Sequence, residues 1–184
     1  MAETLREFSQ THDCVSFSEA ARHLVLQSDF FARSDIVLGY LFHGIEADCT
    51  GVLYSALQMG KLVGLPRILP GTGDMDFYLL DDTLNFGDQI ESGSYGISEP
   101  VPTLEKLALD ASLAKKRVLV LVPGMAFTED GRRLGRGKGF YDRFLFRLKE
   151  TGAQVWAAGF CFPCQMTGDI PTDEHDLLLD TVFF

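Results

Sequence analysis

The sequence predicts an α/β fold, a mainly parallel sheet flanked by helices, in a single domain over residues 1–184. Three observations point there. Two continuous apolar runs, Ile36-Val37-Leu38-Gly39-Tyr40-Leu41-Phe42 and Val118-Leu119-Val120-Leu121-Val122, read as strands buried on both faces. Segments with apolar residues at helical spacing lie between the strand-like runs, and such alternation implies parallel pairing through crossover helices. The chain has 184 residues, 46% of them hydrophobic, which suits one core.

Taken in order, Phe17 to Arg33 repeats apolar residues at Ala20, Ala21, Leu24, Val25 and Phe31 and predicts one amphipathic helix, capped by Ser16 or Ser18. The run Ile36 to Phe42 is the first strand, and a helix is expected from about Thr50 to Met59. A short strand at Leu62 to Leu65, a turn at Pro70-Gly71-Thr72-Gly73 and a strand at Phe77 to Leu80 follow. From Asp81 to Pro102 the apolar runs are short and glycine recurs, so a long irregular excursion is expected, of the kind that often walls a ligand site. A helix near Thr103 to Ala114 then leads to the strand Val118 to Val122, and strands at Val155 to Phe160 and Leu177 to Phe183 complete the sheet.

The formal net charge is -10, and the cations are not spread evenly. Arg132, Arg133, Arg136, Lys138, Arg143, Arg147 and Lys149 fall in one stretch against a single carboxylate, Asp142. An acidic chain with one short basic segment does not suit nucleic acid, which is gripped by extended basic surfaces, nor an anionic membrane surface. A small anionic ligand fits better, because a local reversal of sign focuses field on one place. The start of the chain lacks the basic and apolar regions of a signal peptide, and no apolar run approaches the roughly 18 residues of a membrane span, so a cytosolic protein is expected.

The basic stretch is also glycine-rich: Gly131-Arg132-Arg133-Leu134-Gly135-Arg136-Gly137-Lys138-Gly139-Phe140-Tyr141-Asp142-Arg143. Gly135, Gly137 and Gly139 can take positive φ and bring backbone N–H groups close to phosphate oxygens. Phe140, Phe144, Leu145 and Leu148 have helical spacing, so a helix is expected to start near Gly139 with its positive dipole end facing the loop. Asp142 in its first turn either complements the dipole or holds a magnesium ion against bound phosphates. A glycine-rich surface turn before an amphipathic helix is the plainer alternative. Lys138 is followed by Gly139 rather than Ser or Thr, which excludes a P-loop, and the alternating glycines do not match the dinucleotide fingerprint. Among Cys14, Cys49, Cys161 and Cys164, only Cys161-Phe162-Pro163-Cys164 has the spacing of a redox dithiol, and it follows a late strand without the early strand-turn-helix setting of that chemistry. Buried, reduced thiols are expected instead.

The stretch Val122-Pro123-Gly124-Met125-Ala126-Phe127, then Gly131, then Arg133 through Asp142, resembles the signature of the 5-formyltetrahydrofolate cyclo-ligase (methenyltetrahydrofolate synthetase) family. The likeness continues upstream at Glu46-Ala47-Asp48, Gly60-Lys61, Leu65-Pro66-Arg67, Met75 to Phe77 and Gly96-Ile97-Ser98-Glu99-Pro100, and downstream at Asp173-Glu174-His175-Asp176, covering residues 35–184. Two departures stand out. The family opens with a basic helix whose lysine reaches the nucleotide, whereas the first lysine here is Lys61 and Arg6 has no secure counterpart; and Thr128 occupies a position where the family has Asp.

The resemblance implies ATP-dependent conversion of 5-formyltetrahydrofolate to 5,10-methenyltetrahydrofolate, with release of ADP and phosphate through a phosphorylated formyl oxygen. It implies ATP binding by Arg133, Gly135, Arg136, Gly137, Lys138, Gly139, Phe140, Tyr141 and Asp142, with Arg133, Lys138 and Tyr141 nearest the chemistry. Glu46, Met75, Tyr95 and Tyr141 are the implied folate contacts, and Asp142 and Asp176 the implied magnesium ligands. A monomer with no nucleic-acid or membrane partner is expected. Two other readings stay open: a folate- or nucleotide-binding paralogue without turnover, and a thiol-dependent redox protein.

Overall fold

A computed structural model describes residues 1–171 and 177–184, with the backbone alone at Tyr95. Six strands form one sheet: β1 (Ile36–Leu38), β2 (Leu62–Ile68), β3 (Met75–Leu79), β6 (Arg117–Val122), β9 (Gln154–Phe160) and β10 (Thr181–Phe183), in the order β10-β9-β6-β1-β2-β3. Every pairing is parallel except the antiparallel β2–β3 edge, so the expected fold class holds. β4 (Ile90–Ser92) pairs with β5 (Ser98–Pro100), and β7 (Ala126–Phe127) with β8 (Arg133–Leu134), as two small antiparallel ribbons outside the sheet.

Strand β6 explains why its run is apolar at every position. Leu119 and Leu121 face one core, with Ala21, Val25, Phe31, Val52 and Leu53 from the helices α2 (Cys14–Gln27), α3 (Asp29–Arg33) and α4 (Thr50–Gln58). Val118, Val120 and Val122 face a second core, with Phe144, Leu145 and Leu148 of α5 (Phe140–Glu150). Helices on both faces leave no solvated side, and a strand there has no use for polar alternation. α1 (Ala2–Thr11) adds Leu5 and Phe8 to the first core.

Several boundaries differ from expectation for reasons of tertiary context. The single helix expected over Phe17 to Arg33 is two: Asp13, rather than Ser16 or Ser18, caps α2 by accepting from Val15 N at 3.1 Å, and Ser28 interrupts the run by capping α3 at Phe31 N. The first strand stops at Leu38 instead of Phe42, because Tyr40 turns away and donates its hydroxyl to the Ala47 and Phe160 carbonyl oxygens at 2.9 and 3.2 Å. β2 runs past Pro66 to Ile68 although a proline cannot donate to a ladder. It is tolerated because β1 pairs only as far as Gly64, and the next N–H on that side, from Ile68, goes to Glu99 Oε1 at 3.1 Å.

The helix expected over Thr103 to Ala114 does not form. That segment runs beside the edge of β3, where Leu79 N–H donates to Glu105 O at 2.7 Å and Leu107 N–H to Phe77 O at 2.8 Å, leaving only a 3-10 turn at Ala111–Leu113. An exposed strand edge with unpaired N–H and C=O groups outcompetes local helix preference. The last strand is likewise shorter than Leu177 to Phe183, since Leu179 N–H is taken by Gly131 O at 2.8 Å. Among the described residues, no helix is long and apolar enough to cross a membrane.

Candidate active site

A cavity of about 680 Å³ lies where the chain leaves the carboxyl ends of β1 and β6, the place where open α/β sheets receive ligands. Three walls enclose it. Tyr40, His43 and Glu46 follow β1; Met75, Ile68 and Glu99 come from the β2–β3 and β4–β5 side; and residues 133–142 form the third wall.

The third wall begins with a tight ribbon. β7 and β8 pair through Phe127 and Arg133, and their turn is tied by the buried Thr128, whose hydroxyl accepts from Arg132 N at 2.9 Å and donates to Asp130. Gly131 is obligatory there: its φ is +88°, and a Cβ would stand 2.2 Å from the Leu179 carbonyl oxygen. Beyond β8 the loop enters α5 through Gly139, which caps the helix in the left-handed region at φ 64°. Gly137 shares that conformation, as expected, but Gly135 does not. Its role is spatial, since a Cβ there would lie 2.7 Å from Arg133 Nη1. Helix α5 carries Asp142 in its first turn and Arg147 and Lys149 in its last, the charge order that its dipole favours.

The basic stretch is far less free than its composition suggests. Arg132 pairs with Asp130 and Asp169, Arg133 with Asp142, Arg136 with Glu46, Arg143 with Asp74, and Arg147 with Asp76. Among the described residues, Lys138 and Lys149 alone in this stretch have no ion-pair partner, and Lys138 lines the cavity. Of these two, the exposed Lys138 is the one that stands beside the glycine loop.

Arg133 and Asp142 meet in the least solvated part of this wall. Arg133 Nη2 donates to both carboxylate oxygens at 2.9 Å, and the two side chains are only 9% and 18% exposed. The Arg133 guanidinium carbon lies 6.0 Å from the Tyr141 ring centroid. Burial pushes the Tyr141 phenol well above its ordinary pKa, so it is a neutral hydroxyl able to donate to a ligand oxygen. Across the cavity, Glu46 Oε2 accepts from His43 N at 2.9 Å while Oε1 accepts from Arg136 Nη2 at 3.1 Å. This bridge joins positions 90 residues apart in sequence.

The structure therefore gathers Glu46, Met75, Arg133, Gly135, Arg136, Gly137, Lys138, Gly139, Phe140, Tyr141 and Asp142 around one space. The Tyr95 backbone lies in the 3-10 turn Ser94–Gly96, and Asp176 falls outside the described residues. Arg6 is exposed on α1 and is not among the cavity-lining residues. Sequence reasoning passed over Tyr40, His43 and Glu99 as wall residues. Glu99 had a signal, a carboxylate inside the excursion expected to wall a ligand site, whereas Tyr40 was hidden inside an apolar strand pattern. All four cysteines are free. Burial raises the Cys161 and Cys164 thiols above their ordinary range, which opposes thiolate chemistry at that pair.

Similarity to known proteins extends over most of the chain. The 5-formyltetrahydrofolate cyclo-ligase of Escherichia coli K12 is 33% identical over 141 residues, covering 74% of this chain and 70% of its own. The Saccharomyces cerevisiae protein of that name is 29% identical over 184 residues, covering 91% and 82%. The NMR structure of Aquifex aeolicus 5,10-methenyltetrahydrofolate synthetase superposes with a TM-score of 0.74 over 99% of this chain and 86% of that one, at 24% identity, and so shares the fold. A sequence profile of the 5-formyltetrahydrofolate cyclo-ligase family matches residues 1–184, extending the likeness through the amino-terminal helices, and the chain belongs to that family.

Proposed function

We propose that this protein catalyses ATP-dependent closure of 5-formyltetrahydrofolate to 5,10-methenyltetrahydrofolate, releasing ADP and phosphate. The observation that carries the reading is Lys138, the cavity lysine left without an ion-pair partner among the described residues, beside the glycine turn and the amino end of α5. A triphosphate is the ligand that such a combination of cation, backbone N–H groups and helix dipole favours.

The formyl group on N5 is an amide, and its oxygen leaves poorly as hydroxide. Transfer of the ATP γ-phosphoryl group to that oxygen forms an O–P bond and breaks the bond to ADP. N10 then attacks the activated carbon, loses its proton, and phosphate departs with the former formyl oxygen. Such transfers need charge stabilisation and alignment more than an acid-base pair. Lys138 supplies the cation for the phosphates, and the neutral Tyr141 hydroxyl lies in the wall between loop and pterin side. Glu46, held by His43 N–H and Arg136, offers a carboxylate to the positive charge that develops on the product. Met75 and Ile68 supply apolar surface for a flat pterin ring.

Magnesium would assist by neutralising phosphate charge. Asp142 would hold it through carboxylate lone pairs not taken by Arg133, and no group of three His, Cys, Asp or Glu able to hold a metal occurs among the described residues. That donor set suits an ion that takes most of its ligands from phosphates and water. We further propose a monomer, and a cytosolic one, since four free cysteines suit a reducing compartment.

The test is incubation of purified protein with ATP, magnesium and 5-formyltetrahydrofolate while the methenyl chromophore is followed. Chromophore formation that depends on ATP and collapses in Lys138→Ala supports the assignment. Folate binding without chromophore would instead identify a binding paralogue.

A further inference from the structure

Arg143 lies outside the cavity yet touches two of the segments that shape it. Its Nη2 donates to the Gly73 carbonyl oxygen and, at 2.9 Å, to the Lys138 carbonyl oxygen, while Nε donates to Asp74 Oδ1 at 3.1 Å. The guanidinium carbon also sits 5.7 Å from the Phe140 ring centroid. One side chain thus fastens the end of the glycine loop and the first turn of α5 to the tip of the β2–β3 turn. Among the described residues, no other hydrogen bond joins residues 135–139 to residues 69–74.

The surroundings accommodate this clamp. Gly139 leaves room for it, since a Cβ there would meet Arg143 Nη1 at 2.7 Å. The turn is closed at its base by Leu69 N–H donating to Asp74 O at 2.9 Å. Exposed ion pairs contribute little by themselves, and Arg143 and Asp74 are 47% and 39% exposed. What sets this residue apart is that Nη2 donates to backbone carbonyls from two segments while Nε holds Asp74, a division of donors that a planar guanidinium fork allows.

The clamped residues adjoin the two sides of the reaction. Lys138, without an ion-pair partner among the described residues, is the cavity cation that the proposed function offers to phosphate, and Met75, next after Asp74, lines the cavity on the side proposed for the pterin. We infer that Arg143 is a positioning residue: it fixes the separation of Lys138 from the Met75 wall, and hence of phosphoryl donor from acceptor, without touching either ligand. The inference rests on the function proposed above.

Arg143→Ala and Arg143→Lys would be compared with wild type by calorimetric binding of magnesium with a non-hydrolysable ATP analogue, by steady-state kinetics and by thermal melting. For Arg143→Ala we expect the analogue's Kd and the KM for ATP to rise about tenfold, with a smaller fall in kcat and an unchanged melting temperature. Arg143→Lys should recover only part of the loss. Wild-type Kd and KM in Arg143→Ala would overturn the inference. So would a lowered melting temperature with reduced kcat and unchanged KM, which would mean a purely structural contact. Should wild type bind the analogue but yield no chromophore, the proposed reaction fails, while the binding comparison still decides whether Arg143 orients the loop.

Discussion

From Val118 to Val122, strand β6 carries no charge and buries every side chain, whereas the loop over residues 135–139 exposes both Arg136 and Lys138. The strand's backbone groups are spent on neighbours, with β1 on one side and β9 on the other. The loop is held by a few side-chain contacts at its ends, Arg136 on Glu46 and Arg143 on the Lys138 carbonyl oxygen. One region is optimised for what it touches in the folded chain. The other exposes a lysine that has no ion-pair partner among the described residues. Stability and activity should therefore separate between the two.

The largest effect should come from the strand. Leu119→Ala removes a fully buried side chain from the first core and should cost about 3 kcal/mol by denaturant unfolding, with KM values unchanged in the molecules that remain folded. Lys138→Ala should do the reverse: wild-type melting, but a fall of about 100-fold in kcat/KM, the scale for removing a charge-stabilising donor. A large loss of stability in that variant would break the contrast.

Tyr141→Phe sharpens it further, because the ring still packs while the neutral donor is lost. About a tenfold drop in kcat with intact folding is expected, and unaltered kinetics would remove Tyr141 from the chemistry.

The smallest effect belongs to the far end of the sheet. Hydrogen bonds from the Arg117 side chain and backbone hold the Asp35 carboxyl down at about 2. Because the folded carboxylate titrates below an unfolded one, its stabilisation is complete above about pH 4 and is lost as the pH falls towards 2. The pair is substantially solvent-exposed, so Asp35→Asn should cost about 1 kcal/mol or less at neutral pH. The difference from wild type should vanish in acid melts.

Much of this molecule was legible because local pattern and final environment agree. β6 appears within a residue of its expected limits, α5 starts within a residue of its expected beginning, and the glycine loop precedes it. The failures share a cause. Thr103 to Ala114 has a helical pattern, but the edge of β3 needed a partner; Tyr40 was read as strand, but its hydroxyl found two buried carbonyls. Neither demand can be seen from the residues involved, because the β3 edge and the Phe160 carbonyl lie in segments distant along the chain.

By itself, the sequence determined the mainly parallel sheet, its doubly covered central strand and the glycine-rich basic loop, since each depends on short-range spacing of apolar residues, glycines and cations. Only the tertiary structure decided which of those cations would be neutralised. Ion pairing depends on a carboxylate arriving from elsewhere in the chain, as Glu46 does for Arg136 and Asp74 for Arg143, and among the described residues none arrives at Lys138.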